Sequence, residues 1–268
     1  MARVKQFDVI TGSISNLSFY TRKGSSQVFV RTKGGATKEQ IKRRPEFENV
    51  RRNNKEFGGC SKMSREIRST FSPLAHVADY NLAPVFCSVA KNIQKSDIVN
   101  PWGERNIRLS QFKQYLIDFD FNRINRFGSV LRIPLQWNID REVHRAVVDI
   151  PAFACSFGLY LPGNYSLFRL SATLGIATDF QINDNKNGYE HTHYNVGSIY
   201  RAASTPWYST QASVPEQQID IDVHTGATHF CDDDTLILSI AIEFGTLDAF
   251  GNPTPLKHAG AGKILGVR

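Results

Sequence analysis

Cysteine is scarce and scattered: Cys60, Cys87, Cys155 and Cys231 are the only four in 268 residues, and no two make a CxxC pair. That spacing argues against a disulfide scaffold or a zinc-finger module and for ordinary reduced thiols. No run approaches the roughly eighteen consecutive apolar residues of a membrane-spanning helix, so no membrane insertion is expected. The opening MARVKQFDVITGS lacks an apolar h-region and a cleavage site, so Sec export is not expected. The expectation is synthesis in the cytoplasm, with any extracellular or particle-associated role reached by lysis or dedicated export. Catalytic signatures are missing too. There is no GxSxG elbow and no defensible Ser/His/Asp order. Gly260-Ala261-Gly262-Lys263 imitates a phosphate loop, but Lys257 stands where its first Gly belongs and Ile264 where Ser or Thr belongs. No internal repeat or low-complexity segment is present. The chain therefore reads as a non-enzyme with no cofactor.

What the chain does hold is aromatic bulk, with 18 Phe and 9 Tyr, which favours packed β structure and contact surfaces. It also holds a strong charge asymmetry. Residues 1–68 carry 16 Lys/Arg against 6 Asp/Glu, whereas residues 146–268 carry 6 against 12. A basic head and an acidic tail in one chain can attract each other between copies, or the head can meet nucleic acid; the plainer reading is solvated surface charge.

In chain order, Leu17–Thr21 and Gln27–Arg31 are β-prone runs joined by Arg22-Lys23-Gly24-Ser25-Ser26, a hairpin with Phe19, Val28 and Val30 on one face. A two-stranded ribbon is marginal in water and must dock on something. After Gly34-Gly35, Thr37-Lys38-Glu39-Gln40 predicts a capping box. Pro45 suits the first turn of a second helix. Its apolar stripe is expected to run through Phe47, Val50, Phe57, Met63, Ile67, Phe71 and Leu74, with Arg43, Arg44, Arg51, Arg52 and Lys55 mostly off it. Gly58-Gly59 either ends that helix or permits close packing.

Residues 75–125 read as a mixed helical connector: a helical period over Val77–Ile93 broken by Pro84, a loop at Asn100–Gly103, a short helix at Leu109–Leu116 and an alternating run to Phe121. From Ser129 the period becomes two. Expected strands are Ser129–Trp137, Arg145–Ile150, Phe168–Phe180, Glu190–Ile199, Gln217–Val223, Thr235–Phe244 and Lys263–Val267. Leu236–Ile242 is apolar on both faces, as a central strand would be. Asn187-Gly188 signals a type I′ hairpin. The fold class is α+β: an N-terminal β-hairpin and basic helical segment, then an antiparallel β-sandwich of jelly-roll-like kind. The expected divisions are 1–74, 75–125 and 126–268.

Each candidate site competes with a plainer reading. Asn183–Gly188 places oxygen ligands as a calcium loop does, but Tyr194 stands where a bidentate Glu is required, so a turn is the better reading. His191 and His193 share a strand face as a cupin HxH pair does, though Tyr194, Asn195 and Val196 follow instead of the expected Glu and Gly. His224, His229 and Asp232–Asp234 join them only through the fold. The carboxylate pairs Asp118/Asp120 and Asp220/Asp222 would share strand faces, for which solvent-exposed charge is a better reading than a glycosidase pair. No metal ligand is assigned.

The stretch RRNNKEFGG from Arg51 to Gly59, preceded by Lys33-Gly34-Gly35 and KEQIK from Lys38 to Lys42, resembles the heads of an uncharacterised group of Bacteroidetes proteins. More loosely, the head is similar to short virion-associated proteins of phages and prophages. The resemblance covers about the first 70 residues and supplies no catalytic residue; it implies an assembly element. The leading expectation is thus a structural protein that self-assembles into a filament, tube or virion-like particle. Its contacts would be Phe19, Val28, Val30, Phe47, Val50, Arg51, Arg52, Phe57 and Ile67, and its partners copies of itself and other structural proteins. The alternatives are a nucleic-acid-associated protein using the basic helix and a carbohydrate- or metal-binding β-sandwich.

Overall fold

A computed structural model describes residues 3–4, 10–22, 25, 27–193, 199–223 and 230–268. The chain divides into two compact units, Met1–Arg51 and Arg52–Arg268. This differs from the expected breaks at 74/75 and 125/126. The reason is that the second half of the long helix and the whole of 75–125 pack into the core of the second unit rather than forming an arm and a connector.

In the first unit, β1 (Arg3–Val4), β2 (Ile10–Ile14), β3 (Leu17–Thr21) and β4 (Val28–Thr32) make an antiparallel sheet in that order. The expected hairpin is β3–β4, and its connection at residues 23, 24 and 26 lies outside the described residues. Strand β2 escapes sequence reading because Gly12 and Ser13 interrupt its apolar pattern. Ser15-Asn16 joins β2 to β3, with Ser15 at φ 51° in the left-handed region that such tight turns require. The helix α1 (Lys38–Arg43) opens on the expected capping box: the Gln40 amide donates to Thr37 Oγ1 at 3.2 Å and the Thr37 amide to Gln40 Oε1 at 2.7 Å. Pro45 starts a 3₁₀ turn that leads into α2 (Glu48–Ser69). Among the described residues from 11 to 51, none is buried.

The second unit is layered. Helix α2 runs unbroken through Gly58-Gly59 and is followed by a 3₁₀ segment, Ser72–Val77, and α3 (Ala83–Lys95), which accommodates Pro84 in its first turn. Two 3₁₀ turns, Leu109–Gln111 and Lys113–Tyr115, replace the expected short helix. Then come α4 (Phe127–Val130), β5 (Gln136–Asp140), β6 (Arg145–Ile150), β7 (Phe153–Ala154) and α5 (Cys155–Gly158). After these are β8 (Leu167–Thr178), β9 (Phe180–Ile182), β10 (Tyr189–His191), β11 (Tyr200–Ser204), β12 (Tyr208–Ser209), β13 (Ser213–Val214), β14 (Gln217–Asp222), β15 (Asp234–Leu247) and β16 (Pro253–Val267). The larger sheet is ordered β11-β8-β15-β16, with β12 also on β8; a three-stranded sheet is ordered β14-β6-β5.

Period two explains the layers. Leu236, Leu238, Ile240, Ile242 and Phe244 of β15 join Ala146, Val148, Ile150, Ile219 and Ile221 of the smaller sheet in one core, which makes the sandwich. Ile237 and Ala241, on the opposite face, join Cys60, Met63, Ile67, Phe71, Leu74, Phe86 and Ile93 in a second core under the helices. The central strand is therefore covered on both faces, as its apolar run predicts. Two glycines set the approach distance. A Cβ on Gly59 would lie 2.7 Å from the Tyr189 ring, and one on Gly175 would lie 2.5 Å from Thr70 Cβ.

The strand expectations fare unevenly. Arg145–Ile150 is β6 residue for residue. Ser129–Trp137 is not a strand: residues 127–130 form α4, Pro134 follows, and β5 starts only at Gln136. Asn187-Gly188 closes a hairpin, but not a two-residue one. Register pairs Ile182 with Tyr189, and Asn183 Oδ1 accepts from the amides of Asn187 and Gly188 across a six-residue loop. The expected strand Glu190–Ile199 ends at His191, and residues 194–198 lie outside the described residues.

Candidate functional site

The N-terminal sheet has two chemically distinct faces. Register pairs Phe19 with Val30, Thr21 with Val28 and Ile14 with Leu17, so Ile14, Leu17, Phe19, Val28 and Val30 share one apolar face. Ile14 is 50% exposed and Val30 53%. Tyr20 and Phe29 pair on the other face and stack at 5.7 Å, with the Arg22 guanidinium over Phe29 and that of Arg31 over Tyr20. Three of the nine expected contact residues thus converge, and the register adds Ile14 and Leu17. The alternation of Leu17 and Phe19 already signals the face; the Ile14 contribution needs β2.

The remaining six do not form one surface. Phe47 is half-buried in its 3₁₀ turn, and Val50 is exposed. Arg51 is turned to internal use: its guanidinium donates to the Ile41 carbonyl at 2.7 Å, the Arg44 carbonyl at 2.8 Å and Glu48 Oε2 at 2.6 Å, tying α1 to the start of α2. Arg52 lies over the Trp102 ring. Phe57 is exposed and lines an apolar groove between α2 and α3 with Cys60, Ala83, Pro84 and Cys87. Ile67 is fully buried, so it is a core residue and offers no surface to another chain.

The true inward stripe of α2 is Glu56, Cys60, Met63, Ile67, a helical spacing that places a carboxylate where an apolar residue is expected. Glu56 accepts from Arg105 Nε and Nη2 at 2.7 Å each, from Lys91 Nζ at 2.5 Å and from the Gly103 amide at 2.9 Å. Burial opposes its charge, but the Arg105, Lys91 and Gly103 donors outweigh that and hold the carboxyl down at about 2. Every lone pair is occupied, so the network fastens α2, α3 and the Gly103–Arg105 loop and offers no base for chemistry.

An acidic surface lies on the smaller sheet. Register places Gln218, Asp149 and Gln136 in one row of its outer face, Asp220, Val147 and Asn138 in the next, and Asp222, Arg145 and Asp140 in the third. All but Val147 are exposed. Four carboxylates and one guanidinium share that face, and Arg145 pairs with Asp220. The Asp220/Asp222 pair is thus part of a charged outer face. Asp118 and Asp120 are separated, Asp118 meeting Lys263 and Asp120 accepting the Phe127 amide.

The two strand histidines part company. His191 Nε2 faces Glu66 Oε2 at 3.6 Å, whereas the chain bends after β10 and carries His193 to Asp234 Oδ2 at 3.1 Å. His224 and His229 lie outside the described residues. Nearby, Asp179 is buried, which pushes its carboxyl up to about 6 although Ser110 donates to it through both amide and hydroxyl. Beside the Cys231–Asp234 turn is a cavity of ≈ 660 Å³ lined by Asp140, Arg141, His144, Phe230, Cys231 and Arg268. No protein-family model, curated protein or solved structure matches the chain.

Proposed function

We propose that the protein is a self-associating structural element, in which residues 1–51 of one copy dock on the outer face of the β14-β6-β5 sheet of another. The observation that carries this reading is the placement of charge. Residues 1–51 hold 11 Lys/Arg and 4 Asp/Glu, a net of +7, which is the whole formal charge of the chain; residues 52–268 hold 21 of each. The basic unit has an apolar sheet face and no buried residue among those described from 11 to 51. A small sheet with an uncovered apolar face gains stability by finding a cover. The exposed carboxylates Asp140, Asp149, Asp220 and Asp222 supply the complementary sign. Because the two surfaces differ, the contact is head to tail, and copies close into a ring or extend as a filament. The looser resemblance of the head as a whole to virion-associated proteins is in keeping with such an element.

Light scattering coupled to size exclusion tests it. Wild type should form species larger than a monomer at low salt and dissociate as salt rises. Arg43→Glu/Arg44→Glu and Asp149→Lys/Asp222→Lys should each reduce the mass, and a mixture of the two variants should recover it. A monodisperse monomer at high protein concentration and low salt overturns the reading.

A second reading rests on the opposite sheet face, where Tyr20 and Phe29 are interleaved with Arg22 and Arg31. Aromatic rings set among cations are the components of a single-strand nucleic-acid platform. Retention of single-stranded DNA or RNA on a filter at about 50 mM salt, lost in Tyr20→Ala/Phe29→Ala, would favour it; no retention removes it.

A further inference from the structure

Where β8 ends and β15 begins, three different donors converge in one place. One ligating atom each from His193, Cys231 and Asp234 lies within 4.8 Å of the other two. We propose that these residues form a zinc(II) site, an inference independent of the assembly reading.

The surrounding structure holds the donors in place. Cys231 and Asp234 are three apart in a turn closed by the Asp234 amide donating to the Cys231 carbonyl at 3.0 Å, and by the Cys231 amide donating to Asp234 Oδ2 at 3.0 Å. Arg141 clamps the same turn from outside, donating to the Cys231 carbonyl and the Asp234 carbonyl at 2.7 Å each. The other carboxylate oxygen of Asp234 accepts from Thr178 Oγ1 at 2.5 Å, which sets the plane of the carboxylate. His193 is delivered from the other side. The Asp179 main chain accepts from the Thr192 amide and donates to the Asp233 carbonyl, so the residue between β8 and β9 stitches the histidine segment to the turn. His193 presents Nε2 to Asp234 Oδ2 at 3.1 Å, and its Nδ1 atom has no hydrogen-bond partner among the described residues. Ligation through one ring nitrogen leaves the proton on the other and so fixes the tautomer.

The donor set selects the ion. One thiolate, one imidazole and one carboxylate suit zinc; calcium and magnesium take oxygen ligands throughout. Asp232 and Asp233 add negative charge beside the turn. Three protein ligands leave a fourth position for water. On binding, the Cys231 S–H bond breaks, its proton passes to solvent, and the sulfur lone pair forms the S–Zn bond. The ligand pair is thus Cys231 with His193, and the HxH pairing of His191 with His193 is not the metal motif.

Cobalt(II), a zinc surrogate, gives a thiolate-to-metal charge-transfer band that reports sulfur ligation. The full-length chain, reduced and freed of metal by chelation, is titrated with cobalt(II) and then with zinc(II). The expected result is saturation near one equivalent, a charge-transfer band in wild type, and displacement of cobalt by zinc. Cys231→Ser should lose the band. His193→Ala should weaken zinc binding at least about tenfold. Both variants should keep the wild-type circular dichroism. A wild type with no band, or a band of equal strength in Cys231→Ser, overturns the site. The charge-reversal variants above, measured in chelator, report on assembly alone, so the two ideas fail separately.

Discussion

Residues 1–51 and residues 52–268 meet the problem of burying apolar surface in opposite ways. In the larger unit β15 is covered on both faces, by the smaller sheet on one side and by α2 and α3 on the other, and its charges balance. In the smaller unit the sheet has one apolar face and one Arg–aromatic face, the unit carries a net charge of +7, and none of the described residues from 11 to 51 is buried. The proposed assembly rests on this difference: a unit that keeps a partly exposed apolar face and a concentrated charge gains from being completed by another surface.

The comparison can be sharpened by mutation, starting with the largest effect. Phe71, fully buried and stacked at 4.5 Å on Phe121, should cost about 3–5 kcal/mol on truncation to Ala in a chemical denaturation curve. Glu56→Gln should cost about 2–3 kcal/mol, less than removing one partner of a fully buried pair, because Lys91 and Arg105 retain some solvent. That substitution also has a pH signature. The Glu56 carboxyl sits at about 2 against an ordinary 4.5, so unfolding takes up a proton between those values. Its stabilisation is complete above about pH 5 and drains as pH falls through 4.5 toward 2. Glu56→Gln should flatten this acid limb in a series of thermal melts.

Gly59→Ala should cost about 1–3 kcal/mol, since the new methyl meets the Tyr189 ring, whereas Gly58→Ala, in open space on the same helix, should be neutral or stabilising. Smallest in stability is Val30→Ala, expected within about 0.5 kcal/mol of wild type in the denaturation of the body while still lowering the assembled mass. Hydrogen exchange gives the same contrast without mutation: amides of β15 should carry the highest protection, and those of β3 and β4 should exchange quickly in dilute chain and slow down on assembly. Equal protection in the two units would break the comparison.

Local signals proved legible where one residue's chemistry suffices. The Thr37–Gln40 box, Pro45 at the start of its turn, the period-two run of Arg145–Ile150 and the doubly apolar Leu236–Ile242 all read correctly because propensity and pattern act within a few residues. Reading failed where a distant partner decides. Phe57 looks like stripe and is exposed, while Glu56 looks like surface and is buried, because Arg105 and Lys91 arrive from elsewhere to neutralise it. His191 and His193 look like a pair and are separated, because the strand stops between them. Cys231 carries no motif at all until the fold brings His193 alongside the turn it shares with Asp234.

The amino-acid sequence by itself determined the α+β class, the basic head, the acidic tail and the central strand, since charge and hydrophobic period are properties of composition and order. Only the tertiary structure decided that the head ends near residue 51, that the rest of α2 belongs to the body, and that four carboxylates line one face of a sheet. Those outcomes depend on which surfaces meet across long sequence separations. The free energy of such a meeting is set by the fit of both partners, which no local window contains.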